Sequence, residues 1–134
     1  MWRKLRRLGA VQLIDGLVAL PQDARTREQL EWIADEVIEA GGEATVWLAE
    51  AAARSQEREL ARRMSEAIAK DYDAVIEEAQ TAAASADPWD GRSVGRLRRE
   101  LRRIRSRDFF PTSQAEAAQR AVDALAEADE EMAP

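Results

Sequence analysis

Apolar positions along this chain change period several times, and each change predicts an element. Trp2, Leu5 and Leu8 recur every third residue and Gly9 follows, which predicts a helix of about two turns closed by a glycine. So short a helix is marginal alone and must dock on something. Val11–Ile14 and Leu17–Leu20 are apolar runs around Asp15-Gly16, the strongest short signal for a hairpin, with both turn residues expected at positive φ. Both strands are apolar on both faces, so the hairpin should be covered on at least one side. Pro21 ends the second strand.

Asp23 or Thr26 opens the next helix. Leu30, Ile33, Val37 and Ile38 form its apolar stripe, Glu31, Asp35, Glu36 and Glu39 its wet side, and Gly41-Gly42 its end. Ala44, Val46 and Leu48 then alternate with Thr45 and Trp47, the two-residue period of a short strand. A long helical period runs from about Ser55 to Ala84, with Leu60, Met64, Ile68, Tyr72, Val75, Ile76 and Ala79 on one face. Asp87-Pro88-Trp89-Asp90-Gly91 is a turn cluster. Ser93–Arg107 carries Val94, Leu97, Leu101 and Ile104 inward. Ser113 with Glu116 offers a capping box for a last helix, whose apolar face is Ala118, Ala121, Val122 and Leu125. The acidic tail from Asp129 should fray.

Composition narrows the chemistry. The 134 residues suit one domain, residues 1–50 forming an α+β core and 51–134 a helical extension of about three helices packed on it. Cys and His are both absent, which removes disulfides, thiol redox chemistry, Cys/His zinc sites and any histidine base. No nucleophile–base pair, glycine-rich phosphate loop or cofactor motif is present. The expectation is therefore a non-enzyme without cofactor or metal. No apolar run reaches the ~18–20 residues of a membrane span and no secretory signal is visible, so a cytoplasmic location without membrane is expected.

Charge is more telling than its net value of −6. Residues 92–107 hold eight Arg and one acid, Glu100, and residues 1–8 add Arg3, Lys4, Arg6 and Arg7, so the remainder is strongly acidic. Arg98, Arg102 and Arg105 fall at i, i+4, i+7 on one helix face, with Arg99 and Arg103 in a second row. Such rows can follow DNA phosphates or hold a small oxyanion through forked guanidinium donors. The competing reading sets them against Glu57, Glu59, Glu66, Asp71, Asp73, Glu77 and Glu78 of the preceding helix, as surface ion pairs worth little each. Trp89 reads as a lid on a local core, Tyr72 as core with its hydroxyl at the rim, and the carboxylates at 71–78 as solvated.

Several stretches together resemble a known family. W-R-K-L-R-R-L-G-A-V, D-G-L-V-A-L-P, L-E-W-I-A-D-E, G-G-E-A-T-V, A-K-D-Y-D-A-V at 69–75 and R-R-I-R-S-R-D-F-F at 102–110 are similar to the N-terminal domain of the chromate resistance protein ChrB. A more distant likeness is to the C-terminal domain of PaaX-type regulators, which shares a ferredoxin-like plan with the CRISPR adaptation nuclease. The resemblance implies a βαββαβ core followed by helices, and a regulatory or sensing role in chromate resistance with DNA or chromate as partner. The second domain of full-length members and the winged helix of PaaX-type proteins have no counterpart here. Nor does the family's first strand, which carries the nuclease's catalytic acid. In that fold it lies inside the sheet, so its absence leaves the strand at 44–48 without a neighbour. Two expectations follow: a start upstream of Met1 by roughly 20–40 residues, a strand and its loop, or a homodimer in which a partner fills the gap. A protein–protein interaction or dimerisation module without ligand is the alternative function.

Overall fold

The computed structural model describes residues 1–85 and 91–132. In chain order the elements are α1 (Trp2–Arg7), β1 (Val11–Ile14), β2 (Leu17–Ala19), α2 (Ala24–Glu39), α3 (Arg54–Ala83), α4 (Gly91–Ser106) and α5 (Ser113–Met132). This is an α+β chain: among the described residues one antiparallel two-stranded sheet is preceded by α1 and followed by α2–α5. The expected turn cluster at 87–90, with Trp89, lies outside the described residues. The chain divides into two compact units, Met1–Met64 and Ser65–Pro134.

In the first unit local signals set the elements. α1 ends in a Schellman motif: Gly9 takes φ +89°, its N–H donates to Arg6 O, and the Ala10 N–H donates to Leu5 O. α2 ends the same way, with Gly41 at φ +92°, its N–H on Ile38 O, and the Gly42 N–H on Val37 O. A Cβ on Gly42 would lie 2.9 Å from Val37 Cγ1, so that position has no room for a side chain. Asp23 is the N-cap of α2: its Oδ1 accepts the Thr26 N–H at 2.8 Å, while its own N–H donates to Thr26 Oγ1 at 3.2 Å. The Thr26 hydroxyl also donates to Pro21 O at 2.6 Å, which ties the helix start to the end of the hairpin.

Two expectations for this unit are overturned and a third is met only in part. The hairpin turn does not place both residues at positive φ; Gly16 alone does so, at +81°. A register irregularity between Gln12 and Ile14 accompanies this turn, absorbing the strand twist that a mirror-image turn would otherwise match. The hairpin is covered only away from its turn: Val11, Gln12, Val18 and Ala19 are half-buried, whereas Leu13, Ile14 and Leu17 are exposed, as is Ile38 of the α2 stripe. Residues 44–48 form no strand, because no ladder partner stands beside them.

The second unit has a real core. Ile68, Tyr72, Val75 and Ala79 of α3, Val94, Leu97, Leu101 and Ile104 of α4, and Ala118, Val122 and Leu125 of α5 form one buried cluster. Their spacings of three and four keep each stripe on one helix face. Asp71 pairs with Arg107 and Glu78 with Arg96, an order that makes α3 and α4 antiparallel. Two terminal expectations fail here. Ser113 is the first helical residue and its hydroxyl turns to Gln114 Oε1, so no capping box forms with Glu116; Thr112 precedes the helix, and its carbonyl accepts the Ala115 N–H. The tail stays helical to Met132, and Asp129, four residues past Leu125, is buried in line with the apolar stripe.

Candidate anion-binding face

The amphipathic pattern of α4 turns Val94, Leu97, Leu101 and Ile104 into the core and leaves its arginines outside. Seven of the eight arginines at 92–107 fall into two groups. Arg96 Nη1 donates to Glu78 Oε2 at 2.6 Å, Arg103 Nη1 to Glu100 Oε2 at 3.3 Å, Arg105 Nη2 to Gln119 Oε1 at 2.6 Å, and Arg107 Nη2 to Asp71 Oδ2 at 3.0 Å. Arg98, Arg99 and Arg102 are exposed and make no ion pair or hydrogen bond among the described residues. Arg98 and Arg102 stand one turn apart on the same face, with Arg99 beside them. The Arg99 side chain lies over Gly95, its Nη1 3.4 Å from where a Cβ there would stand.

The competing reading, ion pairs with the preceding helix, holds for two of these arginines. Acids of α3 take Arg96 and Arg107. A groove of about 250 Å³ on this side is lined by Asp71, Ala74, Val75, Glu78, Arg96, Glu100 and Arg103, charges of both signs. Arg103 and Arg105, expected in the anion site, are engaged inside the unit instead. The row that remains open is Arg98, Arg99 and Arg102.

In the first unit, α1 places Arg3, Arg6 and Arg7 in solvent without an ion pair among the described residues. Lys4, expected beside them, is paired with Glu36 of α2. That pairing was not legible in the sequence, since it joins positions 32 residues apart.

The structure also shows a polar corner that sequence reading missed. The Tyr72 side chain is fully buried, and its hydroxyl donates to Asp108 Oδ2 at 2.9 Å. Burial, and then the bond to Asp108, push the Tyr72 phenol up to about 12, so it stays protonated as a donor. Asp108 Oδ1, Thr112 Oγ1 and both carboxylate oxygens of Asp129 are buried without a hydrogen-bond partner among the described residues. No cluster of acids among those residues is arranged to hold a metal ion, and no described helix is long and apolar enough to cross a membrane.

Comparison with known proteins gives one match. The family described as Protein ChrB, N-terminal, matches residues 1–87. No curated protein and no solved structure matches the chain, and the likeness to PaaX-type regulators is not shown.

Proposed function

The chain belongs to the ChrB N-terminal family, which ties it to chromate resistance, and from that premise we propose that it is a non-enzymatic regulatory or sensing component whose α4 binds oxyanion groups. The observation that carries this reading is the division among the arginines. Guanidinium groups held by nearby acids are neutralised in place: exposed Arg96 and Arg103 and half-buried Arg107 are of that kind. Arg98, Arg99 and Arg102 keep their forked donors open to solvent.

The shape of the row favours DNA phosphate over chromate. Four residues of helix rise ~6 Å, so Arg98 and Arg102 stand side by side along a convex face. Donors spread along a helix suit a line of phosphates. A small tetrahedral dianion is held best by donors that converge in a cleft, and these three arginines are not among the residues that line the groove between α3 and α4.

Titrating labelled duplex DNA at several salt concentrations tests this. The logarithm of the association constant should fall linearly with log salt, with a slope of about −0.9 per phosphate neutralised. Replacing Arg98, Arg99 and Arg102 together by Ala should flatten that slope, whereas Arg96→Ala should leave it unchanged. Calorimetric titration with chromate runs beside it: chromate binding without DNA binding moves the site to the small-oxyanion reading. Binding of neither removes the site.

A further inference from the structure

Residues 43–52 are exposed apart from half-buried Ala44, and they form no backbone–backbone hydrogen bond with any described residue. Residues 42–51 contain neither turn nor bend. The segment nevertheless has the side-chain order of a strand. Trp47 Nε1 donates to Thr45 Oγ1 at 3.0 Å, so these two residues, two apart, share one face. Val46 and Leu48 alternate with them, and Val46, Trp47 and Leu48 are all exposed. A segment with this alternation at 45–48 and no ladder of its own has backbone groups open for pairing.

The same unit holds an open edge. β2 pairs only with β1. The β1 backbone is engaged from outside the hairpin as well, where Arg63 Nη2 donates to Gln12 O at 2.6 Å. A charged side chain on an edge is a usual block to further pairing. β2 carries no such block among the described residues, and a two-stranded ribbon alone is marginal.

We propose that residues 43–50 of one copy add as a strand to the β2 edge of a second copy, and that the second copy does the same in return. A second copy is the occupant because donor and acceptor are both open in every copy, and reciprocal exchange closes with two-fold symmetry. The donor segment carries only negative charge, Glu43 and Glu50, and the unit that would receive it exposes Arg3, Arg6 and Arg7 on α1. Pairing would cover Val46, Leu48, Leu17 and their neighbours, which are otherwise wet. None of this depends on whether α4 binds an anion.

Light scattering on the full chain should give twice the 15.0 kDa chain mass, with dissociation on dilution. Val46→Pro removes a ladder N–H from a segment that makes no such bond in the monomer. It should weaken the dimer at least about tenfold, ~1.4 kcal/mol, with helical circular dichroism unchanged. Val46→Lys is the second variant and should act in the same direction. The chain has no cysteine, so mixing Val18→Cys with Val46→Cys chains and adding a bismaleimide should join the mixed pair in excess over either alone. A chain that stays monomeric at its highest soluble concentration overturns the proposal, whether its edge stays empty or takes another protein's strand. So does a dimer indifferent to both Val46 variants, or one whose mixed pair does not cross-link.

Discussion

Ile104 and Ile14 are the same side chain in opposite circumstances: the first is fully buried, the second 66% exposed. They stand for their units. Residues 65–134 gather eleven side chains of three helices into one cluster. Residues 1–64 bury only Met64 and Thr26 and leave Met1, Trp2, Leu13, Ile14, Leu17, Trp32, Ile38, Val46, Trp47 and Leu48 exposed. The difference is not one of composition, since the first unit holds three of the four tryptophans. It is one of partners. A helix stripe with spacings of three and four finds its complement on the neighbouring helices of the same chain. A strand needs another strand, and the first unit pairs only two.

The largest test of that contrast is a pair of truncations. Ile104→Ala should cost about 2–5 kcal/mol of unfolding free energy, the transfer loss plus a cavity. Ile14→Ala should fall within about ±0.5 kcal/mol for the monomer. Denaturant unfolding, read by hydrogen exchange so that the units are separated, gives both values. Equal costs would show that Ile14 is covered in solution, which the strand exchange proposed above would also produce.

Tyr72→Phe is the next in size. It removes the donor to Asp108 Oδ2 and leaves a carboxylate whose other oxygen is already buried without a partner, at a cost of about 1–2 kcal/mol. The sign of the pH effect follows from the direction of the shift. The phenol is raised from 10.0 to about 12 in the folded chain. Its contribution to stability is therefore complete below pH 10 and is lost as pH rises through about 12. Tyr72 is the chain's single tyrosine, so tyrosinate absorbance reports it without interference, and the phenylalanine variant should lack this alkaline step. An ordinary titration near 10 would mean that the hydroxyl is not held.

What the sequence disclosed follows the same division. The stripes of α3, α4 and α5 were legible because a helix repeats its signal over many turns and is buried by elements of the same kind. Gly9 and Gly41 marked helix ends because positive φ is a local requirement that few residues meet. Residues 44–48 read as a strand because alternation is a property of the segment, whereas pairing is a property of its surroundings. The candidate site divided likewise. The rows on α4 were visible by counting, but which arginines stay open depends on where Glu78, Asp71 and Gln119 arrive, 14 to 36 residues away. Asp129 was misread because a carboxylate in a buried stripe runs against its residue type.

The smallest expected effect concerns the best-fixed point of the weaker unit, the capping box at the start of α2. The Thr26 N–H, donating to the Asp23 side chain, holds that carboxyl below its ordinary 3.8. A lowered pKa adds stability above the unfolded value, and that addition is lost as pH falls through the folded one. The α2 N-terminus should thus loosen below about pH 3.8 while α3–α5 persist, with amide exchange of Arg25, Thr26 and Arg27 rising first. Asp23→Asn keeps an oxygen acceptor without the charge, so its exchange at these amides should be nearly independent of pH in that range after correction for intrinsic rates. Asp23→Ala should raise their exchange at every pH. If Asp23→Asn loosens with acid as the parent does, the acid sensitivity lies elsewhere in the unit and the cap is not what fixes α2.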